Sequence, residues 1–549
     1  MRPRDRIIVS LIAVSVTSAL LFWVGALYIA ATEVVPDRGG RYTEGIVGQP
    51  QYINPILSPA NMADEDLVHA VYDGLFGYDA DGRITERLAE RYSLSEDGKT
   101  YTVTLRSGVK WHDGREVTAQ DVVFTVNAIK DQAYRSPLRQ NWLGVEVQAQ
   151  DDRTVVFSLK KPYFGFLDHL TVGILPKHVW ETISPDRFAL ADANLAPVGS
   201  GPYRFFDYQK DSSGNILSYS LRAFPEYFQG EANITKLAFN FYPDEESMID
   251  AYEKKEIMGM SPLTQAKGAI FSDRKGTSVK SFHIPRVYGV FFNTSRSVPL
   301  AYAEVRDALS RSVDRGAVVR EVLEGAGVPA ALPFLSFMEG NAAIPDMPYD
   351  VDGANRSLEE NGWKLGDDGI RRKDGAALEF ELAAPDLPEL VRTTDLLRDS
   401  WQRLGVRVNV RLLPLVELNQ DVIRPRAYDA LLYGEKTSVN PDFYSFWHSS
   451  ERDEPGLNLA MFNNAEADDI LFKLREESDV DPRRELLGSF LTILAGKDPA
   501  VFLYSPDVSY VMTDEVKGVN ISVANNASYR LSDLRNRYIE TKRVWKKSE

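Results

Sequence analysis

The chain is 549 residues long, 44% hydrophobic and 26% charged, with a formal charge of −16. Such a length exceeds one hydrophobic core, and an acidic chain with no Lys/Arg run excludes a nucleic-acid partner, which needs a concentrated basic face. The absence of cysteine excludes disulfides, thiolate metal sites, cysteine nucleophiles and a lipid-modified cysteine anchor. Residues 7–31 are almost wholly apolar and follow Arg2, Arg4 and Arg6. As a helix they would reach roughly 37 Å, enough for a bilayer core of about 30 Å. The positive-inside rule then puts everything after Thr32 outside the cell. The length favours an uncleaved anchor over a signal peptide, whose apolar region is about 7–15 residues. The small residues Ala30 and Ala31 leave cleavage open.

Residues 33–41 carry Pro36, Gly39 and Gly40 and read as a linker. Residues 42–47 begin a strand, and residues 63–75 have helical spacing, with Leu67, Val68, Val71 and Leu75 on one stripe. Asp97-Gly98 and Asp113-Gly114 are turn signals. Between them residues 100–106 alternate apolar and polar as a half-buried strand does. Thr118 and Asp121 form a capping-box-like helix start. Residues 145–159 alternate around an Asp151-Asp152 turn, and a short helix starts at Leu175-Pro176-Lys177-His178. Gly199-Ser200-Gly201-Pro202 makes a tight loop before a strand from Tyr203, and lacks the Lys and helix start of a phosphate loop. Residues 236–242 read as a strand and residues 244–255 as a helix with an acidic start. Residues 287–294 are an apolar strand, followed by helices over 303–314, 315–325 and 352–360. Strands over 378–383 and 406–412 flank a helix over 389–404, the order of a parallel crossover. Extended segments over 501–504 and 508–513 precede a last short strand within 516–530.

In order and identity, residues 88–125 resemble the signature of the family 5 extracytoplasmic solute-binding proteins, the peptide binders of ABC importers. Ala196-Pro197-Val198-Gly199-Ser200-Gly201-Pro202-Tyr203 resembles a second family motif, with Ser200 in place of threonine. Val305-Arg306-Asp307-Ala308-Leu309 and Asp314-Arg315 match a third stretch. The likeness runs from about residue 42 to about 539 and departs at Lys255-Glu256-Ile257-Met258-Gly259. It implies an α/β, two-lobed periplasmic-binding-protein type II-like fold with mixed sheets and a double-strand hinge, here behind one transmembrane helix. The expected layout is a helix at 1–32, a linker at 33–41, lobe I at 42–290 plus 506–541 with an inserted subdomain at about 79–195, and lobe II at 291–505. The chain would cross between lobes near Val290 to Asn293 and near Phe502 to Asp507.

The six histidines have no metal-ligand spacing, and no nucleophile elbow, phosphate loop or His-Glu-x-x-His helix occurs. No cofactor and no enzymatic reaction are expected. A cleft between lobes is the natural ligand site. In peptide-binding relatives the stretch after Gly434 reads glycine-tryptophan and then an aspartate that can pair with a peptide ammonium. Here Glu435 stands in the tryptophan's place, and no aspartate occurs before Pro441. The candidate ligand residues are therefore Gly434, Glu435, Lys436, Thr437, Asn440, Asp442 and Trp447, with Asn54 and Asn293 from other strand ends. Phe443, Phe446 and Trp447 read more simply as packing. The expected function is capture of a peptide or similar solute by a monomer and its delivery to an ABC permease. The alternative is a membrane-anchored sensor or partner-binding protein without an import role.

Overall fold

The computed structural model describes residues 3–338, 345 and 347–546. The apolar N-terminal run forms one helix, Pro3–Ala31. Its stretch Leu11–Ala31, 21 residues, is long and apolar enough to cross a membrane and is exposed along almost all of its length. The chain leaves this helix as a strand, Thr32–Pro36, paired antiparallel with Thr541–Trp545. The segment expected as a linker is therefore partly a strand. Its pairing partner lies at the other end of the sequence, beyond any local pattern.

Twelve strands share one sheet. Its organising element is the long strand Ala500–Thr513, which was expected as two separate segments. Residues 500–504 pair with Arg286–Phe292, and residues 507–513 pair with Thr277–His283. On one side the sheet continues through Gly259–Leu263, Gly39–Val47 and Ile234–Tyr242. On the other it continues through Arg286–Phe292, Ala430–Lys436 and Glu379–Pro385. The strands Glu379–Pro385 and Arg407–Leu413 are parallel, as a helical crossover requires. That crossover is the helix Pro388–Gln402, followed by Gly405 at φ +76°. A separate four-stranded sheet, containing Thr100–Leu105 and the hairpin Val145–Ala149 with Thr154–Leu159, lies within the expected inserted subdomain.

The second-half strands are continuously apolar because both of their faces are buried. Val290, Phe292, Leu432 and Leu503 enter one core, while Val287, Phe291 and Phe502 enter another with Trp447 and Phe490. A large first core holds Trp111, Trp142, Trp180, Tyr203 and Tyr219. Phe282 belongs to that first core and Val287 to the second half. The chain thus passes between cores at Ile284-Pro285, upstream of the Val290 to Asn293 stretch expected from the sequence. It returns within the long strand near Ser505-Pro506.

Local chemistry explains the recognisable blocks. The Asp121 carboxylate accepts from the Thr118 backbone N–H at 2.8 Å, closing the capping box. The Gly199-Ser200-Gly201 loop lies against the end of the helix Met62–Val71. A Cβ on Gly199 would sit 1.9 Å from the Val71 carbonyl oxygen, so the close approach requires glycine. His112 staples this loop: its Nδ1 accepts from Gly199 N–H at 3.1 Å, and its Nε2 lies 3.0 Å from the Gly201 oxygen. Burial holds its imidazole down to about 4, so it is neutral and structural. Residues 516–530 form no strand. They lead into the 3-10 turn Ala527–Leu531, and their sheet-like contacts are two isolated bridges, Val523 with His283 and Lys517 with Tyr538.

Candidate functional site

The two halves meet along a seam opposite the crossing strands. The first-half loop at Tyr163 and Phe164 docks on the helices Ala465–Glu476 and Val480–Lys497. Phe164 N–H donates to the Arg475 carbonyl at 2.9 Å. The Arg475 guanidinium lies 3.9 Å from the Tyr444 ring and 5.8 Å from the Tyr163 ring. Arg483 lies 4.2 Å over Phe164. Such cation–π contacts each contribute about 0.5–1 kcal/mol when exposed and more when water is excluded. Deeper in, Asn440 Nδ2 donates to Asp168 at 3.4 Å, and Val439 N–H donates to Asn525 at 2.8 Å.

Two contiguous cavities open along this seam. One of about 590 Å³ is lined from both halves, by Lys160, Tyr163 and His169 and by Tyr444, Phe472 and Arg475. The other, about 220 Å³, is walled by the first half, with Glu65, His69, Trp142, His169 and Tyr529. Asn141 and His169 line both. Burial lowers His69 and His169 to about 4, so both present neutral rings. Burial pushes the Glu65 carboxyl up to about 7, with Asp66 and Asp64 adding to the rise and Lys436 of the other half opposing it.

The structure separates the residues expected at the site. Lys436 emerges exposed at the end of Ala430–Lys436, and Asn440 and Asp442 lie on the seam. The other candidates are committed elsewhere. Asn54 is fully buried and donates to Asn194 at 3.1 Å, fixing a turn. Asn293 donates to the Arg426 carbonyl at 3.0 Å and finishes its strand. Gly434 lies opposite Tyr288, whose ring would sit 2.9 Å from a Cβ there. Thr437 N–H donates to the Pro285 carbonyl at 2.8 Å, tying the loop to the chain crossing.

Glu435 departs furthest from expectation. Strand alternation turns it inward, 4% exposed, where Trp447 Nε1 donates to it at 3.2 Å. Trp447 is itself 1% exposed and packs with Phe291 and Phe502, and Phe443 lies in the same core. Burial pushes the Glu435 carboxyl up to about 8, only partly offset by the indole hydrogen bond. Asp442 is clasped by Arg475, whose Nε lies 3.0 Å and Nη2 2.5 Å from its two oxygens. The sequence reading missed Glu65, Trp142, Asp168, His169 and Tyr529. Glu65 sits in an Asp64-Glu65-Asp66 run that looks like ordinary helix-start charge, and the others carry no local motif.

A model of the bacterial extracellular solute-binding proteins, family 5, middle region, matches residues 83–455. The chain is 27% identical to the oligopeptide-binding protein AppA of Bacillus subtilis, over 88% of this chain and 89% of that one. It is 27% identical to the dipeptide-binding protein of Escherichia coli, over 86% of this chain and 90% of that one. The solved structure of the B. subtilis AppA in complex with a nonapeptide superposes with a TM-score of 0.70 at 24% identity, over 92% of this chain and all of that one. The fold is thus the two-lobed α/β architecture of periplasmic binding proteins.

Proposed function

Because the chain belongs to family 5 of the bacterial extracellular solute-binding proteins, we propose that it captures a peptide or a comparable amino-acid solute between its lobes. It releases that solute unchanged to an ABC permease, while its N-terminal helix holds it as a monomer on the outer face of the membrane. The observation that carries this reading is the pair of contiguous cavities along the seam, closed by Phe164 on Arg475 and bordered by rings and charges from both lobes. A closing cleft of this kind holds an extended polar ligand through many modest contacts, water-mediated ones included.

Retention of the helix is supported by its ties to the C-terminal strand. Lys546 N–H donates to the Ala31 carbonyl at 2.9 Å, and Arg543 donates to Thr32 Oγ1 at 2.8 Å. The Tyr28 and Trp545 rings meet edge to face at 5.9 Å. Cationic side chains at a helix C-terminus also complement its dipole.

The test uses full-length protein extracted from membranes with detergent. Its intact mass is expected to include the helix, and calorimetry against free amino acids and peptides of two to nine residues is expected to give saturable heat. A mature form beginning near residue 32 would make the helix a signal sequence. Absence of heat with every solute in the panel would rule out capture of this ligand class.

A further inference from the structure

A helix leaves its last carbonyl groups without intrahelical donors, and at the edge of a hydrocarbon layer an unpaired carbonyl is costly. The apolar helix Pro3–Ala31 ends with donors already in place. Thr32 Oγ1 donates to the Tyr28 carbonyl at 2.6 Å, Arg543 Nη1 lies 3.5 Å from the Ile29 carbonyl, and Lys546 N–H donates to the Ala31 carbonyl at 2.9 Å. The strand Thr541–Trp545 and the residue after it thus finish a helix at the opposite end of the sequence.

The stretch Leu11–Ala31 is 21 residues. As a helix it reaches roughly 31 Å, which matches a hydrocarbon core of about 30 Å. Its end at Ala31 therefore meets the headgroup layer, which adds about 5–8 Å on each side. At about 3.3 Å per residue, a strand crosses that layer in about two or three residues. Thr32, Glu33 and Val34 are those residues, and Trp545, Val544 and Arg543 stand opposite them. This inner half of the ribbon carries groups that suit the layer. Trp545 is 69% exposed and Val34 56% exposed. Trp545 meets Tyr28 edge to face, so two amphipathic aromatics share one level. Arg543 and Lys546 are exposed, and among the described residues neither has a carboxylate partner. Lys542, further out, is already paired with Asp37 at 2.9 Å. Glu33 is the one acid of the inner half, and alternation puts it on the other face from Arg543 and Trp545.

The ribbon is also fastened to the first lobe along both passages of chain. Asp37 N–H donates to the Glu540 carbonyl at 2.9 Å, just before the strand Gly39–Val47. Lys517 and Tyr538 exchange backbone hydrogen bonds at 2.9 and 3.0 Å.

We propose that the ribbon of Thr32–Pro36 and Thr541–Trp545 is a phospholipid site, seated in the outer headgroup layer with Arg543 and Lys546 on lipid phosphates and Trp545 beside them. This inference rests on the anchor reading above and gives the protein a second, polar hold on the same membrane. A phosphodiester suits these groups: Arg543 has guanidinium donors left over after Thr32 and Ile29, and Lys546 is a point charge on a flexible stem. With helix, ribbon and first lobe joined in this way, the lobe stands at one height over the bilayer instead of swinging on a tether.

The experiment places one nitroxide label at a time in this cysteine-free chain, at Phe22→Cys, Val34→Cys or Ser212→Cys. Phe22 is an exposed helix residue. Ser212 lies in the turn between Tyr203–Lys210 and Ile216–Ala223, at the end of the sheet away from the ribbon. The full-length protein is reconstituted at high lipid-to-protein ratio in vesicles of phosphatidylcholine and phosphatidylglycerol. Power saturation then compares each label's access to oxygen, which concentrates in lipid, and to a water-soluble nickel chelate. The label at Val34 is expected to meet the chelate several-fold less often than the label at Ser212. In Arg543→Gln with Lys546→Gln, which keeps an amide donor for Thr32, most of that protection is expected to be lost. The comparison among labels needs no ribbon variant to fold. Equal chelate access at Val34 and Ser212, with the Phe22 label in oxygen-rich lipid, would overturn the lipid site and leave the anchor standing. Protection unchanged in the glutamine variant would overturn the phosphate contacts. Protection found only at low lipid-to-protein ratio would assign the ribbon to a second copy of the chain and overturn the proposal. A Phe22 label outside lipid would remove the anchor reading, and this proposal with it.

Discussion

Replacing Arg530 with methionine is expected to lower the melting temperature by about 10 °C, or to leave no soluble protein. Arg530 is wholly buried, with Glu44 at 2.5 Å and Asp66 at 2.6 Å, both also without solvent exposure. Its guanidinium makes further bonds to both carboxylates at 2.9 and 2.8 Å. Tyr510 and Tyr42 donate to the second oxygen of Glu44 at 2.6 and 2.9 Å. Burial works against the charge on Arg530, but Asp66 and Glu44 outweigh it and hold the guanidinium protonated.

These residues come from four separate stretches of chain: the strands Gly39–Val47 and Ala500–Thr513, the helix Met62–Val71 and the turn Ala527–Leu531. The network thus fastens the returning C-terminal segment to the first lobe. Methionine fills similar volume but strands two carboxylates in an apolar interior. Removing one partner of a buried pair costs roughly 3–5 kcal/mol, and at about 2–4 °C per kcal/mol for a large domain this gives the expected shift. Adding Glu44→Gln and Asp66→Asn to the methionine variant should recover part of the loss. A single variant melting within about 2 °C of wild type would show that the network does not hold this lobe together.

Glu435→Gln is expected to stabilise the protein, and only at higher pH. The side chain is buried and its folded-state value is raised from 4.5 to about 8. The folded state therefore keeps a proton that the unfolded state releases as pH rises above 4.5. Below that value the acid is neutral in both states and imposes no penalty. The native state's advantage from holding the proton is lost progressively as pH climbs, and is fully gone above about 8. A shift of this size corresponds to roughly 3–5 kcal/mol. Glutamine keeps the acceptor for Trp447 Nε1 and carries no charge. The melting-temperature difference between variant and wild type should be near zero at pH 5 and reach several degrees at pH 8.5. Glu65 and Asp498, each raised to about 7 by burial, tilt both proteins alike and cancel in that difference. A difference that does not change with pH would mean that Glu435 is already ionised in the folded state.

The fold was legible wherever the signal is periodic or steric. The alternation over Thr100–Leu105, the capping pair Thr118 and Asp121, and the glycines that press against Val71 each state their structure locally. Pairings between distant segments were not legible. Residues 33–36 read as part of a linker until Thr541–Trp545 lies beside them. Residues 501–504 and 508–513 read as two segments because Pro506 interrupts the run, yet the backbone stays extended through it. Pro506 has no N–H to donate, and it stands opposite Gly327 at a pair that exchanges no hydrogen bond, between the bonds Asp507 N–H to Ala326 and Ala330 N–H to Leu503.

Along the seam, the bordering segment was legible and the side chains that face it were not. The stretch from Gly434 to Trp447 does border the seam, but a one-residue alternation decides which of Glu435 and Lys436 faces out. The charge of Glu435 suggested exposure; its register placed it inside. Glu65 was hidden for the opposite reason, since two of three consecutive acids at a helix start serve the fold and the sequence does not mark the third.

Two lobes that close on a solute must change their separation when it binds. The chain's lack of cysteine allows spin labels to be placed at will. Lys161 and Glu476 are exposed on opposite sides of the seam, near the larger cavity. With cysteines at these two positions, electron–electron resonance on the full-length protein measures the width of the opening. The account predicts a longer, broader distribution without solute that collapses to a single short distance when a bound amino acid or peptide is added. One unchanged distance, with binding shown by calorimetry in the same sample, would contradict it.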